Sequence, residues 1–314
     1  MTRPSVQASA PGKAILFGEH AVVYDEPAIA IPVTRVKATA KVEPATPGSG
    51  LILIAADLGT SFSLSTAPEG DPLAVAARLT LDHLDASIPD ATLTVRSTIP
   101  IASGLGSGAA VSTALVRALA TFLGSQLTAA EVSDLVYEVE KIHHGTPSGI
   151  DNTVIAYERP VCFVRTASTG PELLSVGVPF DLLIADTGLP SPTKPLVARV
   201  RRGWERETAR YEALFSRIGD ISRKARRRIE AGDVEALGAL MNENHALLVS
   251  LGVSSPALNG LVAAARESGA MGAKLSGAGQ GGNMLALVEA ESVDQVSAAL
   301  REAGAARIAR TTVA

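Results

Sequence analysis

The segment from Pro100 to Ala110 constrains this chain most, because it joins a strand pattern to a helix pattern through three closely spaced glycines. Glycines let a backbone approach a ligand closely and adopt positive φ. The first N–H groups of a helix have no partner within it, and the helix dipole makes that end electropositive. The segment therefore predicts an anion site that suits nucleotide phosphates.

Other interpretations of this loop remain open at this point. The spacing Gly104-x-Gly106-x-x-Ala109 also fits the dinucleotide fingerprint, which needs an acidic residue about twenty positions later. The corresponding stretch, Gly124–Thr128, contains no acidic residue and falls between two helix patterns. No Gly-Lys-Ser/Thr sequence follows the loop, so it is not a P-loop. An ordinary tightly packed turn between a strand and a helix is an equal alternative.

Composition and charge narrow the class of protein. The 314 residues carry a net charge of -4, with 46% hydrophobic and 19% charged residues, which is typical of a globular chain with one large or two medium domains. The acidic balance gives no electrostatic reason to expect nucleic acid or an anionic membrane as a partner. We interpret the basic cluster Arg223–Arg228 as the solvated face of a helix.

The expected location is the cytoplasm. Cys162 is the only cysteine, which excludes an internal disulfide and a thiolate metal cluster. Met1–Ser9 lacks the apolar core of a signal peptide, and no apolar stretch is long enough to span a bilayer.

Hydrophobic periodicity predicts an α+β fold. Strand patterns cover Val6–Ala8, Ala14–Phe17, Ile29–Val42, Leu51–Ala55, Phe62–Leu64, Thr92–Ser97, Asp181–Ala185 and Arg307–Thr312, with a strand, glycine-rich loop and strand over Gly272–Val288. Helix patterns cover 73–84, 107–123, 129–143, 255–268 and 293–303, and a long helical region from Pro195 to Leu251 is expected to break near Gly219 and Gly232. We expect two domains, 1–168 and 169–314.

Two further segments carry chemistry. Lys13 follows Pro11-Gly12, where we expect a turn before an apolar strand, and a lysine there could neutralise a phosphate or act on a nearby hydroxyl. Glu140 and His144 lie one helical turn apart, and a Gly-Thr-Pro-Ser-Gly loop then presents Asp151. Two carboxylates from a helix and a loop suit one acid for Mg²⁺ and one for a substrate hydroxyl.

The fourth segment is Lys274 to Gly282, a strand that ends in a loop with four glycines. This density of glycine predicts a backbone surface that touches a ligand or the Pro100–Ala110 segment, which we call the phosphate loop.

In their order along the chain and at these separations, these segments resemble the GHMP kinases over essentially the whole chain. Within that family, the finer features resemble the mevalonate kinases: Pro11 to Tyr24, His144 to Asn152, and Asp186 to Lys194. The resemblance implies an N-terminal domain like the second domain of ribosomal protein S5 and a ferredoxin-like C-terminal domain. It also implies that ATP and Mg²⁺ bind between them, that mevalonate is the second substrate, and that a homodimer is one expected assembly.

The resemblance assigns a role to each matching residue. Asp151 would act on the hydroxyl as a base or orienting group, with Lys13 beside it. Glu140, together with Ser107, would hold Mg²⁺. The phosphates would contact Pro100, Ser103, Gly104, Leu105, Gly106, Ser107, Gly108 and Ala109. The mevalonate pocket would contain Lys13, Glu19, His20, Ser148, Asp151 and Thr193, and the glycine-rich loop would contribute Gly277, Ala278 and Gly279.

One departure from the family pattern matters. The family loop reads Gly-Leu-Gly-Ser-Ser-Ala-Ala, and its second serine helps to ligate Mg²⁺, whereas this chain has Gly108 there. Water can replace a missing ligand, because Mg²⁺ usually keeps several waters. The alternatives are another kinase of the family, acting on phosphomevalonate or a sugar, and a metabolite sensor without catalysis. A nicotinamide oxidoreductase is excluded, because the Gly124–Thr128 stretch lacks the acidic residue that the dinucleotide fingerprint requires.

Overall fold

The computed structural model describes residues 3–100, 103–144, 147–165, 172–191 and 193–314, apart from the side chains of 143 and 144. The chain forms two compact units. The first unit contains Met1–Gly12, Val36–Pro100 and Gly106–Glu158, and the second contains Lys13–Arg35, Ile101–Leu105 and Arg159–Ala314. The expected boundary at residue 168 stays a prediction, because residues 166–171 lie outside the described part of the chain.

The elements mix strands and helices, which confirms the α+β prediction. The strands are β1 (Val6–Phe17), β2 (Ala28–Pro44), β3 (Leu51–Ala55), β4 (Thr60–Ser63), β5 (Ala91–Ser97), β6 (Val161–Phe163), β7 (Glu172–Leu173), β8 (Phe180–Asp186), β9 (Gly272–Ser276), β10 (Asn283–Val288) and β11 (Arg307–Val313). The α-helices are α1 (Pro72–His83), α2 (Ser107–Leu123), α3 (Ala129–His144), α4 (Ile150–Tyr157), α5 (Thr193–Arg206), α6 (Thr208–Ala231), α7 (Val234–Ser250), α8 (Pro256–Glu267) and α9 (Val293–Glu302).

The first unit contains strands in the order β4, β3, β5, β2 and the mutually packed helices α1 to α4. β3 and β5 are parallel, and the other neighbours are antiparallel. Local sequence starts the helices: the Asp71 side chain accepts a hydrogen bond from the Ala74 N–H at 3.0 Å before α1. Thr128 and Glu131 form a reciprocal capping box at the start of α3.

The second unit is built on an antiparallel sheet with the strand order β11, β8, β10, β9. β9 and β10 are entirely buried, although β9 contains Lys274 and Ser276 and β10 begins with Asn283. Helices α7 and α8 pack against β9. A shorter ladder joins β2 to β6 and β6 to β7, with Cys162 opposite Ile29 and Glu172.

The arginines of α6 point to carboxylates on the surface. Arg223 pairs with Glu26 and Asp220, and Arg226 pairs with Glu172 and Glu230. These side chains are partly or largely exposed, so each pair contributes little to stability. The interpretation of this cluster as a solvated helix face is confirmed.

Strand β1 corrects the expectation of a turn at Pro11-Gly12. The strand continues from Val6 to Phe17, and Lys13 lies within it. β1 pairs only with β2 among the described strands, and an edge strand tolerates a proline because the missing N–H breaks no essential bond.

Helix α6 corrects the expected break at Gly219, because it runs without interruption from Thr208 to Ala231. The chain leaves helical geometry instead at Glu207, where φ is -130° and ψ is 51°. Gly219 serves close packing, since a Cβ atom there would lie 1.8 Å from Glu26 Oε2. The expected break at Gly232 is confirmed.

Helix α7 lies against β9 with backbone in contact with backbone. A Cβ atom on Gly238 would lie 2.3 Å from the Met271 carbonyl oxygen, and one on Gly272 would lie 2.2 Å from the Gly238 carbonyl oxygen. This approach lets side chains of α7 reach the strand backbone: Asn242 Oδ1 accepts from the Ala273 N–H at 3.0 Å, and His245 Nδ1 accepts from the Leu275 N–H at 3.3 Å.

We expect Gly238→Ala to lower the free energy of unfolding by at least about 2 kcal/mol, because the added methyl group collides with main-chain atoms that cannot turn away. Gly260→Ala in α8 is the matched control, since it is also helical but faces open space. It should raise stability by up to about 1 kcal/mol through helix propensity. Urea unfolding measures both, and equal effects would contradict the close contact.

His245 should make stability depend on pH. Burial, followed by the charges of Arg266 and Lys274, lowers the pKa of His245 from 6.5 to about 4. Between these values the unfolded chain binds a proton that the folded chain does not, so stability should fall by up to about 3 kcal/mol as the pH drops from about 6.5 to 4.

His245→Asn keeps an acceptor for the Leu275 N–H but cannot titrate, so its unfolding free energy should show a smaller slope over this pH range. The parent protein is the reference, and an unchanged slope in His245→Asn would contradict the role of His245.

Candidate active site

The phosphate loop has the backbone geometry that its glycines predict. Gly104 and Gly106 adopt φ of 80° and 71°, which is a strained region for other residues. α2 begins directly after Gly106 without a side-chain cap. The first turn of the helix, Ser107 to Ala109, therefore directs N–H groups outward from an electropositive end, as an anion site requires.

Glu140 and Gly108 are brought together in the first unit. Glu140 lies near the end of α3 with only 6% of its surface exposed. A Cβ atom on Gly108 would lie 3.3 Å from Glu140 Oε1, so this carboxylate occupies the space beside the first turn of α2. A buried carboxylate next to a phosphate loop fits Mg²⁺, which prefers oxygen ligands and binds one or two carboxylates together with phosphates.

Asp151 corrects the expectation of a loop position. It is the second residue of α4, which starts after Gly149 with φ of 87°. The described part of the Gly-Thr-Pro-Ser-Gly stretch, 147–149, is not helical, and a new helix begins directly after it. Asp151 is partly buried there, in a helix that packs against α2 and α3.

Helix α4 is fixed at both ends by side chains that the sequence did not single out. Asn152, next to Asp151, is buried and donates to the Ser133 carbonyl at 3.1 Å and to its hydroxyl at 2.9 Å. At the other end, Arg117 of α2 donates to the Ala156 carbonyl at 2.7 Å. No local signal identifies either partner, because they lie 19 and 39 residues away along the chain.

Lys13 is buried within β1 in the second unit. Its backbone N–H donates to the Leu105 carbonyl at 2.9 Å, so this strand holds one end of the phosphate loop.

Glu19 and His20 lie in a tight turn after β1. Gly18 and His20 have φ of 95° and 60°, and a positive φ in a residue other than glycine is a strain that clusters at functional sites. His20 Nε2 lies 2.9 Å from the Ala278 carbonyl oxygen, so this nitrogen must carry the hydrogen. Burial lowers the pKa of His20, which leaves a neutral ring with Nδ1 as the acceptor.

The glycine-rich loop packs against main chain of the second unit, so its glycines are needed for close approach. A Cβ atom on Gly279 would lie 2.0 Å from the Val253 carbonyl oxygen, and one on Gly282 would lie 3.2 Å from the Ser103 carbonyl oxygen. Asn283 also donates to the Ser103 carbonyl. The expected contact between this loop and the phosphate loop therefore exists at Ser103.

Gln280 interrupts the run of glycines and adopts φ of 61°. Its backbone N–H donates to the Val253 carbonyl at 2.8 Å, and its Nε2 donates to the Ser254 carbonyl at 2.5 Å. These bonds compensate the strain and tie the loop to the segment that joins α7 to α8. On the other side, Ser191 donates to the Gly279 carbonyl at 2.8 Å.

The remaining expected site residues occupy element ends. Ser148 precedes α4, and its hydroxyl accepts from the Ile150 N–H at 3.4 Å. Thr193 begins α5 and is exposed. Pro100 precedes the phosphate loop. The side chain of His144, which was expected to share a helix face with Glu140, lies outside the described residues.

A surface cavity of about 590 Å³ lies elsewhere in the first unit. It is lined by Arg3, Asp85, Asp90 and Phe122 among others, and contains none of the expected site residues. Its position gives no reason to move the site away from the loops described above.

Comparison with known families agrees with this arrangement. The family model for the GHMP kinases N terminal domain matches residues 72–159, and that for the GHMP kinases C terminal domain matches residues 225–306. Together they cover more than half of the chain. The chain belongs to the GHMP kinase family.

The most informative relatives of this GHMP kinase are mevalonate kinases. It is 37% identical to those of Thermococcus sibiricus and Pyrococcus horikoshii, with 95% of this chain and 93% of each relative covered. The structure of L. major mevalonate kinase in complex with R-mevalonate superposes with a TM-score of 0.85 at 29% identity, covering 100% of this chain and 98% of that one. The expected family and its two-domain fold are confirmed.

The described helices include none with the length and apolar character needed to cross a bilayer.

We expect Gly108→Ser to lower the Mg²⁺ concentration for half-maximal rate by roughly fivefold, equivalent to about 1 kcal/mol of added ligand binding. The new hydroxyl would lie beside Glu140, which must shift by a few tenths of an ångström to admit the Cβ atom. Initial rates over a Mg²⁺ titration measure the effect. Gly108→Ala introduces the same Cβ atom without the hydroxyl, so equal requirements in the two variants would contradict a missing serine ligand.

Proposed function

We propose that this GHMP kinase transfers the γ-phosphoryl group of ATP to the 5-hydroxyl of mevalonate, giving 5-phosphomevalonate for isoprenoid biosynthesis. The observation that carries the proposal is the 37% identity to mevalonate kinases over 95% of the chain. Lys13, Glu140 and Asp151 are all present, and a sensor that only binds a metabolite would not need this set.

Asp151 and Lys13 act on the reacting hydroxyl. Asp151 accepts or orients the hydroxyl proton, and Lys13 stabilises the negative charge that develops on the oxygen. Phosphoryl transfer depends mainly on positioning and charge neutralisation, so two well-placed side chains are chemically sufficient. The fixed ends of α4 support this role, because the hydrogen bonds from Asn152 to Ser133 hold the start of the helix that carries Asp151.

The phosphates of ATP bind at the loop from Ser103 to Ala109, with Pro100 preceding it. The two left-handed glycines and the N-terminus of α2 support this placement, since backbone N–H groups and the helix dipole both favour an anion there.

Glu140 and Ser107 hold Mg²⁺ at this loop. When bound, the ion would neutralise part of the charge on the phosphates. Glu140 supports the assignment by its buried position beside Gly108, and water could take the place of the hydroxyl that Gly108 lacks.

Mevalonate contacts Glu19, His20, Ser148 and Thr193 in addition to the two catalytic side chains. The neutral ring of His20 supports this assignment, because its Nδ1 can accept a hydrogen bond from a substrate hydroxyl. Gly277, Ala278 and Gly279 form the loop that holds His20. Cytoplasmic location and homodimer formation stay predictions.

The decisive assay is Mg²⁺-dependent ADP release with mevalonate, phosphomevalonate, homoserine and galactose offered in parallel. Turnover is expected with mevalonate alone. Asp151→Asn should lower kcat by at least about 10²-fold while the dissociation constant for ATP changes little, because the lost group acts on the hydroxyl. Asp134→Asn, an exposed change on α3, is the matched control and should behave as the parent.

Release of ADP with phosphomevalonate or galactose instead of mevalonate would replace the proposed substrate. ATP binding without turnover on any of the four would favour the sensor. Equal losses of ATP binding and turnover in Asp151→Asn would contradict the catalytic role.

A further inference from the structure

A buried ion pair joins the turn after β1 to strand β9. Lys274 is 0% exposed, and its Nζ donates to Glu19 Oε1 and, at 2.7 Å, to the Leu275 carbonyl. Glu19 is itself buried, and the two residues are 255 positions apart in sequence. The pair therefore fixes the turn to the second-unit sheet rather than to its sequence neighbours.

Asn244 of α7 completes the contact with the second oxygen of Glu19. Its Nδ2 donates to Glu19 Oε2 at 3.1 Å, and the residue is 0% exposed. Its Oδ1 is buried and has no hydrogen-bond partner among the described residues. Both carboxylate oxygens of Glu19 are thus held by donors, one from β9 and one from α7.

This arrangement is a poor way to stabilise a core. Two charges are withdrawn from water, and well-packed apolar side chains of the same volume are often at least as stable. An unpaired amide oxygen adds a further cost. The cluster is better explained by what it holds in place.

What it holds is the turn of Gly18, Glu19 and His20. Within this turn, the Ala21 N–H donates to the Glu19 carbonyl at 2.7 Å, and the Val22 N–H donates to the Gly18 carbonyl at 3.1 Å. His20 is bound on its other side to the Ala278 carbonyl. A strained turn persists only where its surroundings fix it, and here Lys274 and Asn244 do so through Glu19.

We propose that Lys274 and Asn244 are positioning residues, which fix the Glu19–His20 turn in the conformation that binds the hydroxyl substrate. This inference rests on the proposed function for the identity of that substrate. Within the described part of the chain, each Glu19 oxygen accepts from one side-chain donor and His20 Nδ1 accepts from none, so a fixed turn presents acceptors to substrate hydroxyl groups. Fixing them in advance lowers the entropy lost on binding.

The test compares Asn244→Ala and Lys274→Met with Asn242→Ala. Asn242 lies on α7, as Asn244 does, and accepts from the Ala273 N–H of β9, the strand of Lys274. Its side chain has no hydrogen bond to Glu19 among the described residues. We expect both test variants to raise the KM for mevalonate by about tenfold or more, with the KM for ATP within about twofold of the parent. Asn242→Ala should leave both constants near the parent values.

A conservative variant and a double variant distinguish a positioning role of Lys274 and Asn244 from a general loss of packing. Lys274→Arg keeps the charge and should recover part of the mevalonate affinity. In a Glu19→Gln background, Asn244→Ala should add little to the KM, because the group through which it acts has already changed. Additive effects of Asn244→Ala and Glu19→Gln would overturn the proposal.

A second measurement does not depend on the substrate. Hydrogen–deuterium exchange at the amides of Ala21 and Val22 should be faster than in the parent in Asn244→Ala and Lys274→Met, but not in Asn242→Ala. Failure of the parent protein to phosphorylate mevalonate would refute the proposed function. The hydrogen–deuterium exchange rates would still test whether Lys274 and Asn244 fix the turn. Unchanged exchange in both test variants, or the same increase in Asn242→Ala, would overturn it.

Discussion

The contact between helix α7 and strand β9 is the constraint on which the second unit depends. It exists because Gly238 and Gly272 have no side chains, so that main chain meets main chain. At that distance short side chains of α7 reach their partners: Asn242 and His245 accept from N–H groups of β9, and Asn244 donates to Glu19 in the turn after β1. Larger residues at the two glycine positions would withdraw all three polar groups together.

The candidate active site repeats this use of main chain. The phosphate loop, the glycine-rich loop and the turn at His20 present carbonyl and N–H groups, while a few side chains supply charge. Backbone groups have no rotamers to order when a ligand binds, so such a surface is already organised. The strain at His20 and Gln280 is compensated by hydrogen bonds from neighbouring segments.

Sequence predicted the elements whose signals are local. α2 and β3 have the expected bounds, because glycines and alternating residues mark their ends. The errors arose where tertiary contacts decide: Gly219 packs against Glu26 instead of breaking α6. The motifs also located Glu140 beside the phosphate loop. The partnership of Lys274 with Glu19 was not predictable, since nothing near either residue identifies a partner 255 positions away.

The single cysteine of the chain has a practical consequence. Cys162 lies in β6, where burial raises the pKa of its thiol, so both access and thiolate formation are suppressed in the folded protein. A thiol reagent can then react only after the β6 ladder opens. Its labelling rate would report the opening free energy of this edge of the second unit, and no other thiol in the chain would contribute to the signal.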